Sequence, residues 1–549
     1  MKKNFIIILT ISAGLQLISS CKKTFLDEEV YSAYAPETLA DSLGFEASVV
    51  GLHNHLSTFF SYSDPQGWPS VWHAGTDIAW VPPTQKQGIE VPYYDYTQLT
   101  STDGAASYTW GWAYRMINNA NIIIKNADNP GIGGMTEANR KSVNAEARFF
   151  RAYAYNTLAT LFGKVPLVTE PLTAPKTDFV RASLDSVNNL IISDLLYGIA
   201  NLTDLNAFTS TSKTNPNGKP VARANKYMAM QLLAEAYLRA NKNDLAEQQC
   251  LAIINSGKFA LVNTRFGIKS TQPGDPFNDM FWMGNMRRYQ GNREAIWVME
   301  QENIATVPGG FTNNPQQRRN WGAAYYQINT PAPDNKPMVI TDSLGGRGIG
   351  RMRLTDWVVY GLYETNDMRN SKYNLRRKFY YNVPGSPFNG QEIPYVGADT
   401  VFKIAPHTTK WYEFNPADVF GFAMIKDFML MRLGETYLLL AEAQIKQNKN
   451  GDAAISINAL RTRANATQVT AAQMNMAFLL DERARELLAE ENRRMTLMRT
   501  GTLVTRTQAY NTQTINPVLG IAAKHLLMPI PQSEINLNKD AVLEQNFGY

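Results

Sequence analysis

Apolar positions recur at steps of three and four through Phe428–Ala464. Leu430, Leu433, Tyr437, Leu440, Ala441 and Gln444 fall on one face of a helix. The polar run Asn448-Lys449-Asn450-Gly451-Asp452 interrupts that helix, with Gly451 free to take positive φ and Asp452 placed to cap a second helix. Ala454, Ile457, Leu460 and Ala464 form the face of that second helix. The pattern predicts an antiparallel helix hairpin.

The same pattern occurs earlier. Leu233-Ala234-Glu235-Ala236 matches Leu440-Ala441-Glu442-Ala443, and Asn241-Lys242-Asn243 matches Asn448-Lys449-Asn450, both at an offset of 207 residues. A third Ala-Glu-Ala lies at Ala145–Ala147. Small residues on either side let helices approach closely, while the carboxylate points outward or caps a neighbour. Each hairpin is close in size to a tetratricopeptide unit. Such pairs cannot bury a face alone, so they must stack into a scaffold.

Helical spacing also covers residues 36–60 and 108–127, where Trp110, Trp112 and Tyr114 read as core. Thr136 caps a helix that Gly163 stops, and residues 183–202 and 223–256 bring more helix. Leu479–Gly501 reads as one helix with acids early and Arg493, Arg494 and Arg499 late, an order that suits the helix dipole. Two stretches differ. Residues 61–107 and 266–424 are rich in Pro, Gly, Trp and Tyr and lack a sustained period. The second is too long for a linker and is expected to be a folded, loop-rich lobe. The fold class is therefore mostly α: a tetratricopeptide-like helix-pair scaffold (36–265 and 425–549) with a large irregular, loop-rich lobe (266–424).

Residues 1–20 read as a secretory signal, with Lys2 and Lys3 ahead of the diluted apolar stretch opened by Phe5–Leu9. It ends Leu17-Ile18-Ser19-Ser20-Cys21, which resembles a bacterial lipobox and implies cleavage before Cys21 and its acylation. Residues 21–35 would then be a lipidated tether. Cleavage lowers the formal charge from +5 to +3, too little to imply a nucleic-acid partner. Cys250 is the one remaining thiol, so no intramolecular disulfide forms.

Four stretches together resemble the SusD/RagB family of surface lipoproteins of the Bacteroidetes. They are Glu146–Ala152 through Phe162–Val168, Arg432–Ala443, Asp481–Gly501, and Leu527–Pro531 with Asn546–Tyr549. One departure is Glu491-Asn492-Arg493-Arg494-Met495, where the family more often has Glu-Gly, an aromatic or His, Arg and Trp. The resemblance implies an outer-membrane, surface-exposed lipoprotein with four tetratricopeptide-like helix pairs. It implies capture of a nutrient, glycan or peptide, and delivery to a SusC-like TonB-dependent transporter.

The residues themselves point to binding rather than catalysis. Five histidines lack metal-ligand spacing, and His73 with Asp77 is the only conceivable pair; no metal or cofactor is expected. Neither Gly-x-Ser-x-Gly nor a Gly-rich phosphate loop occurs. Flat aromatic rings pack against sugar C–H faces, and Asp and Arg hydrogen-bond hydroxyls. The candidate ligand-binding residues are Trp68, Trp72, Asp77, Trp80 and Tyr94 in the first irregular stretch. In the second they are Trp282, Arg287, Tyr289, Trp321 and Tyr325. Trp72, Trp80 and Trp321 are expected to converge on one exposed face. Arg287, Arg288, Arg318 and Arg319 would suit acidic sugars or peptide carboxylates. A purely structural lid and a surface hydrolase are the competing readings.

Overall fold

The computed structural model describes residues 41–60, 68–83, 88–205, 223–302, 315–421 and 424–549, without the side chains of Trp68 and Pro69. The signal, Cys21 and the tether lie outside the described residues. No helix among those described is long and apolar enough to cross a membrane.

Six helices form the first block: α1 (Ser42–Phe59), α2 (Gly104–Ala127), α3 (Glu137–Phe162), α4 (Leu184–Asn201), α5 (Lys226–Arg239) and α6 (Asn243–Ile254). Their starts follow local chemistry. Asp103, Thr136, Ser183 and Asn225 each accept a hydrogen bond from a first-turn backbone N–H that would otherwise lack a partner. Gly163, at φ 72°, ends α3 where a side chain would be strained. Consecutive helices α2 to α6 pack against one another, and α6 passes the stack on to α8 (Leu433–Lys446), which hairpins with α9 (Asn450–Arg463).

The two repeat copies are α5–α6 and α8–α9, and they touch. Thr436 donates to Gln231 (2.6 Å), and Lys449 pairs with Glu247 (2.6 Å). The turn is made differently from the sequence expectation. Asn241 (φ 56°) and Asn448 (φ 60°) take the left-handed conformation at matching positions, while Gly451 lies inside α9. Asn tolerates that conformation because its short side chain bonds locally, so the glycine is not needed there. The Ala-Glu-Ala carboxylates also differ from expectation, since those of Glu146 and Glu442 point inward. Glu146 is buried on Arg223 and His53, and Glu442 takes a two-pronged Arg499 at 2.7 Å. The small flanking alanines bring the partner helices close enough for those bonds.

The stretch read as one helix, Leu479–Gly501, is two: α10 (Met476–Glu486) and α11 (Arg493–Arg499), with α12 (Leu503–Tyr510) after them. Ala489 sits at φ 61° in the break, and its carbonyl accepts from the Trp411 indole (2.9 Å). Buried ion pairing overrides the dipole argument. Arg493 and Arg494 open α11 instead of closing a longer helix, and both are buried.

Between Ile254 and Leu433 no described helix exceeds five residues. Among the described residues the lobe is held by three antiparallel pairs: β1 (Ala79–Trp80) with β3 (Arg353–Leu354), β2 (Ala295–Met299) with β6 (Phe428–Arg432), and β4 (Leu375–Arg376) with β5 (His407–Thr408). It has its own small core around Tyr325, Met338, Phe379 and Ile404. Strand β6 runs directly into α8, so the lobe grows out of the scaffold without a linker.

A buried ionic network joins the two. Glu486 on α10 accepts from Arg432 on β6 (2.6 Å), from Arg369 in the lobe (2.9 Å) and from Arg463 on α9. Glu482 accepts from Arg461 (2.9 Å) and Arg485 (2.8 Å) and pairs ionically with Arg369 (2.8 Å). Burial pushes these carboxyls up, but the guanidinium groups win and hold Glu482 at about 2 and Glu486 well below its ordinary range. Glu146 and Glu442 behave likewise, each burial effect overcome to about 2, chiefly by Arg223 and by Arg499.

These groups set the stability profile in acid. Carboxylates whose folded values lie below the unfolded 4.5 contribute fully above 4.5 and lose that contribution as pH falls to about 2. His73, which burial lowers to about 3, adds loss in the same direction from 6.5 downward. Glu435 opposes them. Burial raises it to about 7, against Arg483, so its contribution is present below 4.5 and lost as pH rises toward 7. With four deep carboxylates against one, calorimetry is expected to give a melting temperature falling steeply below about pH 4.5. A melting temperature unchanged between about pH 6 and pH 3 would contradict the network.

Candidate functional site

The site is built on one glycine- and arginine-rich stretch, Gly345-Gly346-Arg347-Gly348-Ile349-Gly350-Arg351-Met352-Arg353. The segment 349–355 is bonded on two sides. Ile349, Gly350 and Met352 N–H groups donate to the carbonyls of Arg319 (3.1 Å), Gly322 (2.7 Å) and Asn320 (2.8 Å), while Thr355 N–H donates to Ile78 (3.0 Å). Gly348 lies so close to Gly322 that a Cβ on it would meet the Gly322 carbonyl oxygen at 2.2 Å. The approach requires glycine. It sets Arg351 and Arg347 beside Arg318 and Arg319 of the short helix α7 (Gln317–Trp321). Burial, then the neighbouring Arg351 and Arg347, push the Arg319 guanidinium down to about 9.

Aromatic rings flank this stretch at both ends. At one end the Arg347 guanidinium lies 5.9 Å from the Tyr326 ring and 5.7 Å from that of Phe420, and the two rings meet edge-on at 6.4 Å. Arg347 also donates to the Phe420 carbonyl (2.5 Å). Phe420 is 62% exposed, an unusual state for a large apolar ring. At the other end β1–β3 pairing sets Trp80 opposite Arg353, whose guanidinium lies 5.3 Å from the indole. Arg353 donates to the Tyr395 hydroxyl (2.8 Å), and Tyr395 bonds Tyr360 in turn. Burial, with Arg353 opposing, pushes the Tyr395 phenol up to about 12, so it stays a neutral donor. Tyr395 and Tyr360 are 40% and 63% exposed. The arrangement offers flat rings and multi-donor cations to a ligand lying along it.

The residues picked from sequence are distributed unevenly. The structure does not bring Trp72, Trp80 and Trp321 to an exposed face; they are 0%, 2% and 1% exposed. Trp72 stacks on Phe59 at 5.4 Å in the main core, and Trp321 packs edge-on against His73 at 5.2 Å. Trp80 alone of the three belongs to the strip, as the floor beneath Arg353. Asp77 is wholly buried, gripped by Arg493 (2.9 and 2.6 Å) and Arg506 (2.7 Å). Tyr94 packs with Ala74 and Val81. Tyr325 is buried and donates to the Gly346 carbonyl (3.0 Å), and the ring nearer the surface is its half-buried neighbour Tyr326.

Arg287 is tied to Asp427 (2.7 Å), Glu302 (2.6 Å) and Glu300 (3.2 Å), which makes it a structural cation. Arg288 instead stacks at 4.9 Å from the Phe259 ring. Tyr289 is exposed and its hydroxyl accepts from Arg287 (2.9 Å). Trp282 is half-buried under Lys269 (3.5 Å to the ring). The side chain of Trp68 and the lipidation site Cys21 lie outside the described residues. Tyr326 belongs to the aromatic cluster that the sequence offered around Tyr325, whereas sequence reasoning missed Arg347, Arg353, Tyr360, Tyr395 and Phe420. The alternation of Gly and Arg over 345–353 was the available signal.

A cavity lies elsewhere in the molecule. About 120 Å³ opens between the helix pairs, lined by Tyr153, Gln231, Glu235, Glu435, Arg483 and Arg499 among others.

A tetratricopeptide-like scaffold carrying an aromatic and arginine-lined lobe defines a class of helical-repeat proteins with a surface built on loops. Residues 406–549 match a family model described as "SusD family", and residues 53–238 match one described as "Starch-binding associating with outer membrane". SusD-like protein P25 of Formosa agariphila is 24% identical, over 94% of each chain. Starch-binding protein SusD of Bacteroides thetaiotaomicron is 26% identical, over 83% of this chain and 81% of that one. Among solved structures, a SusD homolog from B. thetaiotaomicron superposes with a TM-score of 0.70 at 18% identity, covering 96% of this chain and all of that one. A laminarin-binding SusD-like protein gives 0.67 at 19%, covering 93% and 100%. Two SusD-type family models thus match separate stretches of the chain, and these relatives and neighbours, SusD-like proteins, support a SusD-like family protein.

Proposed function

We propose that this chain is a surface lipoprotein of the outer membrane, anchored through Cys21, that captures a glycan and delivers it to a SusC-like TonB-dependent transporter. The observation that carries the reading is the strip itself. Exposed Phe420, Tyr360 and Tyr395 and half-buried Tyr326 lie beside Arg347 and Arg353, six positions apart on one stretch of a SusD-like fold. The relatives support the glycan. One is named a starch-binding protein, one a laminarin-binding protein, and a further structural neighbour is surface glycan-binding protein A of Bacteroides fluxus (TM-score 0.67, 20% identity, 93% and 100% covered). The family model that names the outer membrane supports the location. The same relations favour a binding role over a catalytic one.

The test is a binding screen of the soluble chain, begun at Lys22, against polysaccharides and peptides. The paired substitutions Tyr326→Ala with Phe420→Ala, and Tyr360→Ala with Tyr395→Ala, are compared with wild type. Each pair is expected to weaken glycan binding by about tenfold or more, equivalent to about 1.4 kcal/mol, at unchanged melting temperature. Equal binding by wild type and both variants would remove the strip as the site. Binding to peptides alone would favour a RagB-like receptor, and binding to nothing a structural lid.

A further inference from the structure

The strip carries more charge than a neutral sugar needs. Neutral hydroxyls are served by any hydrogen-bonding side chain, whereas a guanidinium adds strength chiefly when the acceptor is an anion. Between Gly345 and Leu354 there are three arginines and no acidic residue, and the facing α7 segment adds Arg318 and Arg319, again with no acid among residues 315–322. Burial first, and then the charges of Arg351 and Arg347, depress Arg319, so these cations lie within reach of one another. Packing like charges together costs stability and is returned when an anion binds between them. Asp356 acts on Tyr395 at the Arg353 end, and Glu413 and Asp418 act on Arg318 at the other, so carboxylates flank the arginines without lying among them.

Geometry favours an anion over mere solvation at both ends. Arg353 is nearly buried against Trp80 and is fixed by Tyr395, and its Nε is a buried donor with no hydrogen-bond partner among the described residues. A guanidinium already ordered on an aromatic floor loses little further entropy on binding. Arg347 is likewise ordered over Tyr326 and Phe420. The two lie six positions apart in the chain, so at strand rise they are at most roughly 20 Å apart, within the reach of one oligomer.

Resting on the glycan-capture reading above, we propose that the ligand is an anionic polysaccharide, bearing carboxylate or sulfate groups, whose charges are received by Arg353 and Arg347 while its sugar faces pack on the flanking rings. Both anions present the oxygens a guanidinium fork accepts.

The experiment measures binding of the soluble chain to polygalacturonate, dextran sulfate, uncharged dextran, uncharged laminarin and poly-glutamate at about 50 and 500 mM salt. Wild type is compared with Arg347→Ala, Arg353→Gln and Arg353→Lys. Binding to polygalacturonate or dextran sulfate, reduced about tenfold or more by Arg347→Ala and Arg353→Gln, is expected; which polymer binds decides carboxylate or sulfate. Arg353→Lys is expected to recover part of the affinity, since it keeps charge but loses the fork. Arg347 is partly exposed, so its variant decides the question even if Arg353→Gln lowers the melting temperature. Binding of laminarin or dextran alone would overturn the anionic ligand and leave glycan capture standing. Polyanion binding abolished by salt but indifferent to both arginines would mark unspecific attraction and overturn the proposal. Poly-glutamate preferred to every polysaccharide, or no binding at all, would overturn both readings.

Discussion

Replacing Glu486 by alanine is expected to cost about 3–5 kcal/mol of folding stability, a large share of a typical domain's total. Its carboxylate is wholly buried and accepts from Arg369, Arg432 and Arg463, which come from the lobe, from β6 and from α9. Alanine leaves three buried guanidinium groups with one partner fewer. Glu482, Glu294 and Asp367 retain part of them, so the three do not become bare charges. Because the residue stitches lobe to scaffold, its loss is expected to lower the urea midpoint. Glu486→Gln should fall between, since an amide keeps an acceptor but not the charge. A loss below about 1 kcal/mol for alanine would mean that the network is solvated, as surface pairs are, and not buried.

Asp77→Ala is expected to be of similar size, about 3–5 kcal/mol, for the same physical reason. Asp77 lies more than 400 residues from Arg493 and Arg506 in sequence, yet receives three hydrogen bonds from them without solvent access. Burial raises its carboxyl, but Arg493 and Arg506 together hold it below the ordinary range. Asp481→Ala is the control. Asp481 also pairs with Arg506 (2.6 Å) but is partly exposed, and its loss should cost under about 1 kcal/mol. The comparison also decides what Asp77 is for. A ligand-binding aspartate would lose glycan affinity at constant melting temperature. An anchor lowers the melting temperature first, and binding with it, because Asp77 leads into the strand that lays Trp80 under Arg353.

The repeat was legible because it obeys a period. The helix stripes, the Thr136 cap and the Gly163 stop are local chemistry, and the structure keeps them. What escaped was set by partners distant in sequence. The break at residues 487–492 divides what reads as one amphipathic helix, because Arg493 finds Asp77 and Arg494 finds carbonyls near residues 71–93. In the irregular lobe no period tells which ring of Tyr325-Tyr326 faces out. One residue's difference exchanges a hydroxyl bonded to Gly346 for a ring beneath Arg347. Large aromatics in such a lobe are also what its core is made of, so Trp72 and Trp321 were drawn inward. A triple substitution of Trp72, Trp80 and Trp321 would therefore test folding more than recognition.

The most direct measurement is a crystal structure of the soluble chain with an oligosaccharide prepared from the polysaccharide that binds best. Sugar rings are expected against Tyr326, Phe420, Tyr360 or Tyr395, with an acidic group on Arg347 or Arg353. A ligand seated in the cavity between the helix pairs, or on any surface away from residues 345–354, would contradict it.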